Sequence, residues 1–306
     1  MCILAKINYK MNIENNCSIE KIQLCELSMP EISQKEYYFE YIKNFKSLPL
    51  DLQSSLIDQM YSIYSKALKG FTRESFFQSE FNNPTSLCTK IILLKTTADN
   101  SIKVFTEYNI YEFFAIPNLV SPSNKYLVSS GLSCATQKFQ RRGIFKKIKA
   151  IIGALLRKEY QNNNLLHFDV SVNPISYFSM CKSASYFVPK YNFIHPESIE
   201  KFMIKIMRSF GYPALKDKHP LVTKEINCLV DFDKKTFLKN YNLLPPEIKY
   251  YIDLTGLEDN LGLCLLTVIN INEGNTLSIP RIINKKIPML DSAIYEWVVT
   301  NFKPKI

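Results

Sequence analysis

The chain has 306 residues and a formal net charge of +10, and 46% of its residues are hydrophobic. These values are typical of a globular protein with one large or two smaller domains, and they exclude a disordered chain. It contains only 8 glycines, whose spacing excludes the glycine-rich loops of Rossmann dinucleotide sites and of P-loop NTPases.

Cysteine and histidine are scattered along the sequence rather than paired. The 8 cysteines and 3 histidines form no C-x-x-C or H-E-x-x-H spacing, so no metal site is predicted. Scattered cysteines in a chain of this size are typical of reduced thiols, and residues 1–12 lack the apolar core of a secretory signal. We therefore expect a cytoplasmic protein, with export by a route without a cleavable signal left open. No apolar run is long enough to predict a membrane span.

Hydrophobic periodicity predicts the elements of the first two thirds of the chain, after an N-terminal arm over residues 1–36. Helices are predicted over 48–68 and 73–81, the second with Thr72 as its N-cap. Strands follow over 89–95, 102–116 and 125–134, then a basic loop over 137–143, a helix over 144–160 and a strand over 165–172. Strand, loop, helix and strand within about fifty residues form a βαβ unit, whose strands should be parallel.

The last third is predicted to be richer in loops. A helix is expected over 197–210, a strand over 261–271 and a last element over 295–302.

Positive charge is concentrated in the middle of the chain. Residues 113–158 contain nine Lys or Arg residues and no Asp or Glu. Such a run is compatible with a solvated basic helix face, with a phosphate-bearing ligand or with nucleic acid. We find no helix-turn-helix pattern and no basic patch interleaved with aromatic residues, so nucleic acid is not the favoured partner.

One segment in this basic run has the pattern of an anion site. Residues 131–148 read GLSCATQKFQRRGIFKKI, which predicts a strand, a basic loop and a glycine that opens a helix. The first N–H groups of a helix have no partner within it, and they bind anions well. Gly143 would leave room for close approach, and Arg141 and Arg142 would add charge. A simple solvated turn is the alternative.

The residues from Gln140 to Phe145, QRRGIF, resemble the acyl-CoA loop of the GNAT superfamily of N-acetyltransferases, whose pattern is Q/R-x-x-G-x-G/A. Gln140 and Gly143 match, whereas Phe145 replaces the final small residue. The resemblance implies an α/β (α+β) fold. It would have a mixed, mostly antiparallel sheet, a central βαβ unit and a helical insertion before the last strand. The resemblance places a helix over 175–183, a strand over 186–193 and the insertion at about 196–258, within one domain that covers residues 37–306. It also implies acetyl-CoA as co-substrate, no metal, and an amine acceptor on a protein or small molecule.

The resemblance assigns cofactor contacts to three places. The strand that precedes the loop would pair with the pantetheine arm, and the loop amides would hold the pyrophosphate. The residue after the next strand would make a further contact with CoA. In this sequence these positions are Leu132, Ser133 and Cys134 on the strand, Gln140, Arg141, Arg142, Gly143, Ile144 and Phe145 in the loop, and Asn173.

The resemblance assigns the catalytic residues less directly than the cofactor contacts. The family often has a general-acid Tyr about seven residues after the Asn; here that position is Met180, and Tyr177 lies one turn earlier. A core tyrosine is the alternative for Tyr177. Glu107 and Glu112 are candidates for the base that deprotonates the amine, with a solvent-facing strand residue as the alternative for each. We take Tyr177 and Glu112 as the predicted catalytic pair.

The sequence therefore predicts an acetyl-CoA-dependent N-acetyltransferase that transfers acetyl directly to a primary amine. Two alternatives stay open: a catalytically silent GNAT-like module that binds CoA, and a basic nucleic-acid-binding protein.

Overall fold

The structure is a computed structural model, and it describes ten stretches of the chain. They are residues 19–22, 35–112, 126–140, 143–160, 165–183, 187–192, 194–195, 197–224, 234–258 and 260–269. The strands are β1 (Ile19–Ile22), β2 (Tyr37–Ile42), β3 (Cys88–Thr96), β4 (Ile102–Glu112), β5 (Tyr126–Ala135), β6 (Leu165–Ser171), β7 (Val222–Lys224) and β8 (Leu261–Ile269). The α-helices are α1 (Leu50–Ala67), α2 (Arg73–Phe76), α3 (Ile144–Glu159), α4 (Pro174–Ser183), α5 (Glu197–Ser209), α6 (Lys234–Lys239) and α7 (Pro246–Thr255).

The chain divides into two compact units. The first comprises residues 1–67, 71–110 and 131–152, and the second comprises 68–70, 111–130 and 153–306. The two halves of β5 therefore belong to different units, and so do the two halves of α3.

In the first unit, β1, β2, β3 and β4 pair in sequence, each antiparallel to its neighbour. α1 and α2 contribute aromatic side chains to the core: the Phe76 ring lies 5.1 Å from that of Tyr64 and 6.2 Å from that of Phe105 on β4. α2 begins with a capping box between Thr72 and Ser75 and continues as a π-helical turn over Phe77–Phe81.

In the second unit, the first half of β5 pairs in parallel with β6, and β8 pairs antiparallel with both β6 and β7. α4 and α7 lie against each other, and α5 packs on β8. Their apolar faces form one buried cluster, in which the Phe168 and Phe210 rings stack at 5.5 Å.

The predicted fold class is confirmed. Among the described strand pairings, only that of β5 with β6 is parallel, so the sheet is mixed and mostly antiparallel. The β5–α3–β6 connection is the predicted βαβ unit. The predicted helices and strands up to β6, together with α4, α5 and β8, are present with bounds that differ by a few residues.

One predicted strand is wrong. Residues 186–193 were expected to form a strand, but within the described part only Val188 forms a bridge, with Leu266. Pro189 follows directly and has no N–H group to donate, so the ladder cannot continue through it. Strands β1, β2 and β7 and helices α6 and α7 were not predicted individually, and the element expected over 295–302 lies outside the described residues.

Among the described residues, no helix combines the length and the apolar character needed to cross a bilayer.

Candidate active site

The predicted cofactor loop begins with a short turn that is fixed to the first unit. Thr136 N donates to Lys103 O at 2.9 Å, and the 3₁₀ turn Gln137–Phe139 follows. Lys138 Nζ donates to the Tyr37 hydroxyl at 2.8 Å, and the Phe139 ring contacts the Tyr37 ring edge-on. The start of the loop is thus held on β2, and Lys138 is part of that attachment.

Gly143 opens α3 in a conformation that favours glycine. Its φ is +67°, in the left-handed region, and an added Cβ would meet no atom within 4 Å. Its carbonyl accepts the first bond of the helix, from Lys147 N at 3.4 Å, so Gly143 is the N-cap. Gln140 donates from Nε2 to Ala135 O at 3.0 Å. Arg141 and Arg142 lie outside the described residues.

The helix itself confirms the predicted amphipathic pattern. Its apolar side chains are buried, Ile144 at the first position included, whereas Phe145 is half-buried. Gly143 is exposed. The open side of this helix start therefore offers backbone N–H groups without a bulky side chain at Gly143, which fits an anionic group.

The strand that precedes the loop leaves its parallel partner before the predicted cofactor positions. The pairing runs from Tyr126 with Leu165 to Ser129 with Phe168. β5 continues to Ala135 and β6 to Ser171, yet the described residues of the two strands show no further pair. Of the predicted contacts here, Leu132 and Cys134 are buried and Ser133 is half-buried.

A buried carboxylate lies against this part of β5. Glu107 on β4 is fully buried, and its Oε1 accepts from Leu132 N at 3.2 Å. A Cβ on Gly131 would lie 1.2 Å from the same oxygen, so the carboxylate occupies the space that a side chain there would need. Burial, and then repulsion from Glu80, raise the pKa of Glu107 well above its ordinary value.

Polar groups beneath the π-helical turn complete this arrangement. Asn109 is two residues from Glu107, hence on the same face of β4. Its Nδ2 donates to Glu107 Oε2 at 3.3 Å and to Glu80 O at 2.9 Å. Thr89, opposite Asn109 on β3, donates to Asn109 Oδ1 at 2.7 Å. The carboxylate is therefore set in a hydrogen-bonded network and not isolated in an apolar core.

Cys134 stands on the same strand but is a poor nucleophile. Burial raises the pKa of its thiol, and the nearby Glu80 carboxylate acts in the same direction. The thiol therefore stays protonated, whereas covalent catalysis needs the thiolate.

Asn173 and Tyr177 belong to the second unit, and both have structural partners. Asn173 Oδ1 accepts from Ser176 N at 2.8 Å, which makes it the N-cap of α4, with Pro174 at the next position. The Tyr177 hydroxyl accepts from Tyr191 N at 2.9 Å.

Tyr177 is fully buried, and it packs on the rings of Phe187 and Tyr251. Its hydroxyl also donates to Pro189 O at 3.4 Å. Burial raises the pKa of this hydroxyl, with a smaller contribution from Cys181. These contacts favour a packing role for Tyr177, and its predicted role as general acid stays a prediction.

Glu112, the other predicted catalytic residue, is half-buried at the end of β4 and belongs to the second unit, and its predicted role likewise stays a prediction.

Among the described residues, no group of three or more His, Cys, Asp or Glu side chains could hold a metal ion.

Sequence reasoning missed Glu80, Asn109 and the reason for Gly131. Glu80 lies in the turn Phe77–Phe81 and Asn109 lies on β4, so no sequence motif joins them. The available signal was a single polar residue, Asn109, within an apolar strand. Gly131 was read only as the start of the motif, although a glycine inside a predicted strand indicates a close approach.

No protein-family model and no curated protein sequence matches this chain. Three solved acetyltransferase structures overlap with it at low identity. A candidate phosphinothricin N-acetyltransferase has a TM-score of 0.28 and 9% identity, over 44% of this chain and 76% of its own. Arabidopsis thaliana NAA60 in complex with acetyl-CoA has a TM-score of 0.32 and 12% identity, over 76% of this chain and 99% of its own.

The third is N-acetylglutamate synthase from Neisseria gonorrhoeae, complexed with coenzyme A and N-acetyl-glutamate. Its TM-score is 0.28 and its identity 9%, over 84% of this chain and 36% of its own. Because these similarities are low, we take the fold from the strand order and registers of this chain.

Proposed function

We propose that this chain is an acetyl-CoA-dependent N-acetyltransferase of the GNAT type, which transfers acetyl directly to a primary amine of a protein or small molecule. One observation carries the proposal: Gly143, three residues after the matching Gln140, is the left-handed N-cap of α3 within a parallel β5–α3–β6 unit. The sequence pattern and the backbone geometry that it needs therefore coincide.

The residues of the first unit fit the two ends of the cofactor. Backbone amides at the start of α3, from residues 141–145, would hold the pyrophosphate, and the open space above Gly143 permits its approach. The β5 backbone at Leu132, Ser133 and Cys134 would pair with the pantetheine arm, because the β5–β6 ladder ends before it. The contact of Asn173 with CoA stays a prediction.

The reaction needs a neutral amine and a proton acceptor. Bound acetyl-CoA would supply the activated acyl group. We assign the proton acceptor to Glu107, because it is the carboxylate that contacts the predicted cofactor strand, and burial raises its pKa above the ordinary value. Glu112 is the second candidate for this role, and Tyr177 is the candidate acid for the departing thiol.

A catalytically silent CoA-binding module is the second candidate function. It is favoured by Met180 at the position where the family often has Tyr, and by the packing of Tyr177 in the core. The two candidates share the cofactor site and differ in turnover.

Titration of acetyl-CoA by calorimetry tests the cofactor site, with Gly143→Glu as the variant. Gly211→Glu is a matched control, because Gly211 is also exposed, has a φ of +76° and shows no atom within 4 Å of an added Cβ. We expect binding to the native protein and to Gly211→Glu, and at least about a tenfold weaker affinity for Gly143→Glu, because its carboxylate repels the pyrophosphate. Absence of binding to the native protein would refute both the acetyltransferase and the silent CoA-binding module.

Release of CoA in the presence of amine acceptors then separates the two candidates. A panel of protein N-termini, lysine peptides, polyamines and small amines is the appropriate set, because the acceptor class is open. Turnover with any of them supports the enzyme, and binding without turnover supports the silent module. Binding to nucleic acid that weakens steeply with salt would favour the third interpretation. Cytoplasmic localisation and the domain bounds stay predictions.

A further inference from the structure

A buried side-chain amide, that of Asn109, lies beside the carboxylate assigned above as the proton acceptor. Asn109 and Glu107 are two residues apart on β4, so their side chains lie on the same face of the strand. Asn109 is 5% exposed, and Glu107 is fully buried. Asn109 Nδ2 donates to Glu107 Oε2 at 3.3 Å, whereas Leu132 N donates to Oε1 at 3.2 Å. Each oxygen of the carboxylate therefore accepts from a different donor.

The orientation of the Asn109 amide is fixed by its other two partners. Nδ2 also donates to Glu80 O at 2.9 Å, and a main-chain carbonyl can only accept a hydrogen bond. On the opposite side of the amide, Oδ1 accepts from Thr89 Oγ1 at 2.7 Å. A flipped amide would place Oδ1 against two acceptors, Glu80 O and the Glu107 carboxylate. The N–H side of Asn109 must therefore face Glu107.

The two donors favour the same form of Glu107. Hydrogen bonds from Leu132 N and Asn109 Nδ2 stabilise the ionised carboxylate, because both groups donate to it. Burial acts in the opposite direction and raises the pKa of Glu107, and so does the charge of Glu80. Each carboxylate oxygen has two lone pairs, so each keeps one lone pair for a proton after these bonds. The donors thus hold Glu107 in place and leave it able to accept a proton.

Titratable side chains approach this carboxylate from two neighbouring elements. Glu80 belongs to the turn Phe77–Phe81, and its charge acts on both Glu107 and Cys134 of β5. Burial raises the pKa of the Cys134 thiol, which stays protonated. On β3, the residue opposite Glu107 is Ile91, which has no charge. A substitution of Asn109 leaves all of these groups in the chain, so a changed titration of Glu107 would report on the amide bond.

We propose that Asn109 is a positioning residue for acetyl transfer, whose side-chain N–H orients the Glu107 carboxylate and favours its ionised form. This inference rests on the acetyltransferase function proposed above, and it adds a residue that the sequence did not mark. A purely structural role would be to satisfy Glu80 O, a carbonyl near the end of the turn Phe77–Phe81. The two roles differ in what happens to Glu107 when the amide is removed.

The pH dependence of kcat and of kcat/KM in Asn109→Leu tests this role. Leucine has the same branched shape but no N–H group, so Glu107 loses one of its donors. The ascending limb should move to higher pH by about one unit, because the ionised form is less stable. The plateau of kcat should fall by about tenfold or more, because the carboxylate is no longer held in one orientation. The KM for the acceptor and the affinity for acetyl-CoA should stay within about twofold of the native values.

Gln53→Leu is the matched control, because it also removes a buried side-chain amide that binds main-chain carbonyls of the first unit. Gln53 Nε2 donates to Leu48 O at 2.8 Å and to Lys46 O at 3.4 Å. Both variants should lose stability, and only Asn109→Leu should move the ascending limb. A native limb in Asn109→Leu would overturn the proposal, and so would an equal shift in Gln53→Leu.

NMR titration of the native protein without substrates gives a reading that needs neither activity nor a folded Asn109 variant. The Asn109 side-chain NH₂ and the Leu132 main-chain N–H both donate to Glu107, so their proton shifts should change with pH through one common midpoint. In Glu107→Gln both groups should lose this midpoint. The Gln53 side-chain amide should not show it in either protein.

An Asn109 resonance that does not follow that of Leu132 would overturn the proposal. The same holds if neither resonance has a midpoint, or if the midpoint persists in Glu107→Gln. Should acetyl-CoA fail to bind, the acetyltransferase function fails, and the NMR titration still decides whether the Asn109 amide is coupled to the ionisation of Glu107.

Discussion

Replacement of Gly131 by alanine tests the arrangement of β5 and Glu107 most directly. The added Cβ would lie 1.2 Å from Glu107 Oε1, 2.1 Å from its Cδ and 2.7 Å from Oε2. All three distances are far below van der Waals contact, so the carboxylate must leave its position. Its bond from Leu132 N would then be lost, in a place that water does not reach.

The expected loss of stability has two parts. A buried N–H group left without an acceptor costs about 1–3 kcal/mol. Forcing extra volume into a packed core costs a further 1–3 kcal/mol or so. We therefore expect Gly131→Ala to lower the free energy of unfolding by about 2–6 kcal/mol, a large fraction of the total of about 5–15 kcal/mol for a folded protein.

Urea unfolding of the two single variants Gly131→Ala and Gly143→Ala checks this value. The same substitution at Gly143 meets open space and has only the cost of left-handed backbone, about 1–2 kcal/mol. In a double-mutant cycle, Glu107→Ala removes the clashing group, so Gly131→Ala should cost much less in that background. Equal costs at Gly131 and Gly143, or strict additivity with Glu107→Ala, would refute the proposed contact.

Two further predictions concern Glu107 and Tyr177. The folded-state pKa of Glu107 is raised, so its contribution to stability is largest at low pH and is lost as pH rises through the folded-state value. In urea unfolding from about pH 5 to pH 8, stability should therefore fall more steeply for the native protein than for Glu107→Gln, and parallel curves would contradict the shift. Tyr177→Phe should lower the free energy of unfolding by about 1–3 kcal/mol, because Tyr191 N loses its acceptor. The kcat for acetyl transfer then decides the catalytic prediction, because loss of a general acid costs about a hundredfold or more.

The elements that could be predicted from the sequence are those whose signal is local. α3 buries a regular stripe of aliphatic residues, and the second helix has Thr72 as its cap, so both were found within a few residues. The basic loop was found in the same way, because Gly143 and the helix that it caps are adjacent in sequence.

The first strands were missed because their signal is not local. β2, Tyr37–Ile42, is almost entirely buried, so it lacks the alternation that marks a half-exposed strand. It contains Glu40, which is buried because Lys95 on β3 pairs with it at 2.7 Å. From the sequence alone, a charged residue in such a run is interpreted as a surface residue. Its partner, Lys95, lies 55 residues away in the sequence. β1 pairs with β2, so it could not be placed while β2 was missed.

The candidate site divides in the same manner. The predicted anion-binding half is a continuous segment, whereas the contacts around Glu107 join the turn Phe77–Phe81, β4 and β5. Of the two carboxylates that the sequence offered on β4, the structure favours Glu107 over Glu112 through its contact with Leu132 N. That contact is between residues 25 apart, and no local pattern encodes it.

The two glycines around this segment have opposite surroundings, and the difference bears on function. Gly131 is required because a carboxylate fills the space of its side chain, and Gly143 is required by its backbone while the space beside it is open. A basic surface for nucleic acid would need only the exposed charges, and it gives no reason for a buried carboxylate against the strand that leads into the loop. A transferase needs both features, an open place for an anion and a proton acceptor, on one continuous strand and loop. The acyltransferase proposed above has a role for both features, whereas the basic-surface alternative has none for the buried carboxylate beside Gly131.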